Sequence, residues 1–170
     1  MKAKILPQIL GKNNDYLEKY PVLGHGGFSV VYDLFDYDNL VLKHSYIPYD
    51  GFRYLAELSS FKRKKIAFVE IQEKKSFGED VYYLLQKLEK INFNEKEKKC
   101  LDMINKSFEH TDAIMPGEYP SLRMQFIIEK VNILSDLLKG QNYEMDINED
   151  NIMSDKQGNI YLTDPVAEMQ

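Results

Sequence analysis

With one cysteine, Cys100, in 170 residues, the chain has no internal disulfide framework, and its three histidines (His25, His44, His110) lack the spacing of a zinc site. It also has no excess of positive charge. Lys and Arg number 22 against 27 Asp and Glu, a formal net charge of -5, so the molecule as a whole repels a phosphate backbone and nucleic acid is excluded as an expected partner. No apolar run approaches the roughly 18 residues needed to span a bilayer. Met1-Lys2-Ala3-Lys4 opens without the apolar core of a secretory signal, so the expected setting is cytoplasmic, with no membrane partner. Internal repeats and low-complexity tracts are missing too. What remains is ordinary globular usage, 44% hydrophobic and 29% charged, in a length that suits one domain or two small units sharing a cleft.

Hydrophobic patterning orders the chain. Pro21-Val22-Leu23 leads into a glycine turn, Val30 to Phe35 leaves it, and Leu40-Val41-Leu42-Lys43 returns after Asp36 to Asn39, which predicts three short strands. Beyond Pro48 and Gly51, the residues Phe52, Leu55, Ala56, Leu58 and Phe61 fall at near-helical spacing and predict one helix over Phe52 to Lys65. Its basic end, Lys62-Arg63-Lys64-Lys65, reads as a solvated helix terminus ahead of the alternative, a contact with an acidic partner. Ile66 to Gln72 and Val81 to Gln86, separated by the turn-like Lys75-Ser76-Phe77-Gly78, read as a second strand pair. Asn94 to Phe108 and Pro120 to Leu138 read as helices, the latter with Leu122, Phe126, Ile127, Val131, Leu134 and Leu138 on one stripe ahead of Gly140; the Pro116-Gly117 loop lies between them. Phe126, Ile127 and Ile128 are expected to leave apolar surface for a second copy or a partner to cover. The pattern is α+β, a small sheet with one helix followed by two helices and short terminal strands.

Three features carry chemistry. The turn Leu23-Gly24-His25-Gly26-Gly27-Phe28-Ser29-Val30-Val31-Tyr32 has the small residues that let backbone amides approach a phosphate closely, although glycines serve hairpin geometry equally well. Lys43 ends an apolar strand. Asp146 precedes Asn151 by five positions, and Asn151 precedes Asp164 by thirteen. Ile152-Met153-Ser154 and Ile160-Tyr161-Leu162, joined by the turn Asp155 to Gly158, predict a hairpin that brings Asn151 and Asp164 to one open end, where they can share a divalent cation. Asp146, entering that hairpin, is placed to accept a proton from an attacking hydroxyl. Asp146, Glu149, Asp150 and Asp164 together concentrate negative charge, which costs stability unless a cation or a lysine sits among them.

In these motifs, from about Pro21 to Val166, the chain resembles the protein-kinase-like superfamily and, in its economy, small phage and viral kinases. The resemblance implies a two-lobed fold: residues 1–88 form an N-lobe of antiparallel sheet plus one helix, and residues 89–170 a much reduced helical C-lobe. It implies ATP and Mg²⁺ as cofactors and phosphoryl transfer to a hydroxyl of a protein, in the cytoplasm of a host cell if the origin is viral. Gly24, Gly26, Gly27, Ser29, Val31 and Lys43 would then hold the nucleotide, with Gln86 and Leu88 along the hinge and Leu85 at the rear. Either Glu57 or Glu70 would pair with Lys43. Asp146 with Lys43 would be catalytic, and Asn151 and Asp164 would bind the metal.

Four departures qualify that expectation. Ser29 stands for the third glycine, Glu144 and Met145 replace the histidine and arginine before the catalytic aspartate, and Pro165-Val166 replaces the phenylalanine and glycine after the metal aspartate. Only six residues follow Asp164, so no activation segment or peptide platform is expected. That lack keeps two alternatives open: a pseudokinase-like module that binds and modulates a partner protein, and a small-molecule kinase.

Overall fold

Alternation along two strands sets the architecture. Leu40, Leu42, Tyr82 and Leu84 point to one face of a sheet, Val41, Val81, Tyr83 and Leu85 to the other, and all eight are buried. The computed structural model describes residues 4–11, 17–47, 50–109 and 119–168; His110, Pro48 and the expected Pro116-Gly117 loop lie outside them. Among the described residues the order is α1 (Leu6–Leu10), β1 (Val22–His25), β2 (Ser29–Asp33), β3 (Leu40–Ser45), α2 (Gly51–Glu57), α3 (Ser60–Lys65), β4 (Ile71–Phe77) and β5 (Asp80–Gln86). There follow β6 (Glu89–Lys90), α4 (Glu95–Glu109), α5 (Leu122–Leu138), β7 (Tyr143–Met145), β8 (Ile152–Ser154), β9 (Ile160–Leu162) and β10 (Val166–Glu168). The fold is α+β, with an antiparallel five-stranded sheet in the order β1-β2-β3-β5-β4 and two small sheets, β10-β7 and β6-β8-β9.

Each face of the large sheet has its own cover. Leu6, Ile9 and Leu10 of α1 pack with Leu17 and Tyr20 over Leu40, Leu42, Tyr82 and Leu84. A five-residue helix has no stability of its own. Burial of three large apolar side chains, at about 1.5–3 kcal/mol each, holds it in place, and the Glu73 carboxylate accepts from the Ile5 and Leu6 amides at 2.7 and 3.0 Å. No sequence pattern had suggested this helix. On the other face one continuous cluster runs from Val41, Tyr83 and Leu85 through Phe52 and Leu55 of α2 to Ile104, Met124, Ile127, Val131 and Leu134 of the long helices, ending at Ile152, Leu162 and Val166.

Several sequence expectations are corrected. The single helix over Phe52 to Lys65 is two, because Leu58 is extended (ψ 150°) and the Ser59 hydroxyl caps α3. Arg63 then reaches back to donate to the Ala56 and Leu58 carbonyls at 2.7 and 2.8 Å, satisfying the end of α2 that the break exposes. The strand expected at Ile66 begins only at Ile71; Ile66, Phe68 and Val69 are buried as a plug and not as a ladder, since short apolar runs do not distinguish the two. Lys75, Ser76 and Phe77, expected in the β4–β5 turn, belong to β4, and the turn is made by Gly78, at φ +60°, and Glu79. Ile127 and Ile128 are buried inside the core cluster, so they are not surface awaiting a partner, whereas Leu122 is fully outside the stripe it was assigned to.

The long helices α4 and α5 are joined by a buried charge. Glu97, only 1% exposed, accepts from the Ser121 hydroxyl at 2.7 Å and the Asn94 amide at 3.0 Å, and is ion-paired with the half-buried Arg123. Burial works against its charge, but Arg123, Ser121 and Asn94 together hold the carboxyl below the usual glutamate range. Its contribution is therefore present above the ordinary glutamate pKa and lost as pH falls through the lowered folded value. Glu97→Gln is expected to cost about 2–4 kcal/mol in urea unfolding at neutral pH. The difference from wild type should close as pH falls below about 4.

Candidate active site

Lys43 occupies the middle of β3, on the sheet face it shares with Val41 and Tyr83, and is 5% exposed. A lysine so placed needs a counter-charge within reach. It finds Asp164, just past β9: Nζ donates to Oδ2 at 2.8 Å, and the ammonium lies 4.5 Å from the centroid of the Phe52 ring. Burial pushes the Asp164 carboxyl up from the usual range, Lys43 pulls it down, and the neighbouring Asp50 and Asp146 push it up again. Burial is the first of these causes, and the single ammonium of Lys43 does not outweigh it.

Asp146 reaches the same spot through backbone pairing. Antiparallel β7 and β10 bring Met145 opposite Val166, and the Asp146 amide donates to the Pro165 carbonyl at 2.9 Å. The Asp146 carboxylate accepts from Asn148 Nδ2 at 2.8 Å and from Asn151 Nδ2 at 3.0 Å. Asn148 Oδ1 also caps the 3₁₀ turn Glu149–Asn151, taking the Asp150 and Asn151 amides at 2.9 and 3.1 Å. The β8–β9 hairpin forms as expected, and the Thr163 amide donates to the Asn151 carbonyl at 2.9 Å, closing the end from which Asn151 and Asp164 emerge. Asp146, Asn151 and Asp164 are therefore brought together as the spacing implied.

The glycine loop faces them. The Gly26 amide donates to the Ser29 carbonyl at 2.9 Å, and the Tyr46 hydroxyl lies 3.1 Å from both the Gly26 and Gly27 carbonyls, holding the tip. A Cβ added at Gly24 or Gly27 would meet no atom within 4 Å, so packing inside the chain does not explain those glycines. A cavity of about 440 Å³ is lined by Gly24, Gly26, Ser29, Val31, Lys43, Gln86 and Leu88, with Leu85 also in its wall. Next to it a cavity of about 630 Å³ is lined by Gly27, Phe28, Asp50, Asp146 and Asn148. Gly26, Ser29, Asp150, Asn151 and Asp164 border both.

Glu57 does not join this group. Its carboxylate is ion-paired with Lys74 of β4, Lys43 is taken by Asp164, and Glu70 lines a separate cavity. The break at Leu58 ends α2 at Glu57, where the side chain is two-thirds exposed and meets the nearest strand lysine. Within Gln86 to Leu88, the Lys87 amide is spent on the Asn39 carbonyl at 2.7 Å.

Two residues that the sequence reading missed complete the site. Asp50 is 3% exposed, caps α2 through the Phe52 amide at 2.9 Å and accepts from the Ser45 hydroxyl at 2.6 Å. Its signal was the Asp-Gly start of a helix, a capping signature that also fits an ordinary turn. Asn105 of α4 grips the backbone of Ile147, accepting from its amide at 2.9 Å and donating to its carbonyl. A helical asparagine carries no signal of that kind.

Among the described residues no group of three or more His, Cys, Asp or Glu could by itself hold a metal ion. The donors available to a divalent cation are fewer but suited to one. Asp164 stands beside two further carboxylates, Asp50 and Asp146, and Asn151 spends its Nδ2 on Asp146 while its Oδ1 accepts no hydrogen bond among the described residues. Compared with known proteins, the chain matches no protein-family model and no curated sequence.

The approach of α2 to the Pro165-Val166 segment depends on Gly51, where an added Cβ would overlap the Val166 carbonyl. Backbone at that position cannot step aside as a flexible side chain would. Gly51→Ala is expected to lower stability by about 1–3 kcal/mol in thermal or urea unfolding. The same substitution at the open Gly24 should change it by less than about 1 kcal/mol.

Proposed function

We propose that the chain is an ATP- and Mg²⁺-dependent phosphotransferase of protein-kinase-like plan that transfers a γ-phosphoryl group to a hydroxyl of a protein. The observation that carries this reading is the Lys43–Asp164 pair at 2.8 Å, on the wall between two cavities, with Asp146 and Asn151 hydrogen-bonded to each other beside it. The cavity under the glycine loop suits the nucleotide: Val31, Val41, Leu85 and Leu88 offer apolar wall to a base, while Lys43 and the loop amides face the phosphates. Asp164 and Asn151 Oδ1 would hold Mg²⁺, which when bound neutralises phosphate charge.

In the second cavity Asp146 takes the proton of the acceptor hydroxyl as its oxygen bonds to the γ-phosphorus. The bond from that phosphorus to the β,γ-bridging oxygen breaks, and ADP leaves. Asn148 and Asn151 fix the two Asp146 oxygens before the acceptor arrives, so orientation does not have to be found during reaction.

A second reading, a small-molecule kinase, fits the charge of the acceptor cavity as well as a basic protein segment does. Asp50, Asp102, Asp146, Glu149, Asp150 and Asp164 line it against the single cation Lys98, itself paired with Glu149 at 3.1 Å. A cationic alcohol or a basic protein segment suits such a wall; an acidic acceptor does not.

Incubation with γ-labelled ATP and Mg²⁺, in the presence of a basic protein or an amino sugar, tests the proposal and separates the acceptors. Transfer by wild type should fall about a hundredfold or more in Asp146→Asn. It should be lost in Asp164→Ala together with the Mg²⁺-dependent rise in melting temperature given by ATP. Nucleotide binding without transfer to any acceptor would replace the enzyme by a nucleotide-binding module that acts on a partner. Absence of both binding and transfer would end the proposal.

A further inference from the structure

A third cavity, of about 810 Å³, opens between α3, the Ala67 to Ile71 segment, α5 and the β8–β9 turn, and shares only Val69 with the walls of the other two. We propose that it is a docking groove for an extended, acidic segment of a partner protein, which adds as a strand beside β9 and seats an apolar side chain in the groove. This goes beyond the phosphoryl-transfer reading and does not rest on it.

Backbone geometry supplies the first argument. In the three-stranded sheet β9 is an edge. At Leu162 the edge is satisfied: its amide donates to the Ala67 carbonyl at 2.9 Å, and its carbonyl accepts from the Val69 amide at 3.2 Å. Backbone groups of a strand repeat every second residue, so the amide and carbonyl of Ile160, which lines the groove, point to the same side as those of Leu162, and no strand among the described residues pairs with them there. An incoming segment would continue the pairing that the Phe68–Leu162 bridge begins.

Charge supplies the second. Arg63 and Lys64 line the groove against Glu70, and Lys62 and Lys65 stand in the same last turn of α3. Arg63 is engaged with carbonyls, and Lys62, Lys64 and Lys65 have no carboxylate partner among the described residues. In a chain of net charge -5 this is a local positive field, and it selects an acidic ligand. The half-buried Phe126, Ile71 and Ile160 provide the apolar contact that charge alone does not.

The test uses a fluorescein-labelled peptide of alternating glutamate with isoleucine or phenylalanine, read by anisotropy against the full chain. Binding is expected, weakening as salt rises from about 0.05 to about 0.5 M. It should be roughly tenfold weaker or worse for the Lys62→Glu/Lys64→Glu variant, with circular dichroism confirming that the variant is folded. A peptide N-methylated at alternate backbone nitrogens should lose at least as much, because it cannot pair with a strand edge. Equal binding of a lysine-for-glutamate peptide, indifference to N-methylation, or no binding of the acidic peptide would each overturn the proposal. So would a concentration-dependent dimer in sedimentation velocity that the double variant abolishes, since the occupant would then be a second copy.

Discussion

The contact on which the rest of the site depends is the ion pair between Lys43 and Asp164. It joins the centre of the large sheet to the end of the β8–β9 hairpin, elements 121 residues apart in the chain. A lysine exposed by only 5% carries a desolvation cost of several kcal/mol, which a single carboxylate at hydrogen-bond distance offsets and which an empty position would not. Phe52 closes the other side of the ammonium with its ring face, so α2 is drawn to the same point. Gly51 then lets the start of α2 come down on Val166, bringing Asp50 beside Asp164. Lysine, aromatic ring, glycine and both aspartates form one construction, and altering any of them moves the others.

That construction is overloaded with negative charge. One ammonium serves Asp164, while Asp50 and Asp146 both raise its carboxyl pKa. A protein selected for stability alone would not gather acids in this way, since replacing one by its amide would relieve the repulsion. The acidic loop is nevertheless held in place by several independent devices. Asn105 grips Ile147 from α4, Asn148 caps the turn it begins, and β7 pairs with β10 on the far side of Asp146. The kinase-like expectation assigns this anchoring to a histidine and an arginine, which are Glu144 and Met145 here. Backbone pairing and asparagines supply the rigidity instead, and Pro165, with its fixed φ, leaves Asp164 little freedom to swing away.

How much of this could be read from the chain depended on whether the signal was local. The β8–β9 hairpin was legible because two short runs, each opening on an isoleucine, flank a turn, and the position of Asn151 and Asp164 followed from hairpin closure alone. Lys43 stood out as a cation in an apolar run, although β3 does not end there as expected but continues through His44 to Ser45. Glu57 was not assignable, because an exposed helical glutamate looks the same whichever lysine it meets, and the meeting was decided by a helix break at Leu58 that apolar periodicity conceals. The bonds of Asp50 to Phe52 and Ser45 are local and look like an ordinary helix cap, whereas Asn105 acts on backbone 42 residues away, for which composition leaves no trace. Helix α1 escaped for the same reason: it exists only because Leu6, Ile9 and Leu10 find a sheet face to cover.

The net charge of -5 conceals a division that bears on both proposals. Six carboxylates and one lysine line the cavity beside Asp146, whereas the last turn of α3 sets four consecutive basic residues beside a groove with Glu70 as its single acid. At about 0.15 M salt the screening length is near 8 Å, so each field is felt locally and neither is averaged away by the other. A partner carrying an acidic segment and, separately, a basic stretch with a hydroxyl would be drawn to the two places at once. If both proposals hold, tethering through the groove would raise the effective concentration of the hydroxyl at Asp146. In that proposed arrangement the choice of acceptor would rest on the groove at β9, and the site around Lys43 and Asp164 would need only to orient the reacting atoms.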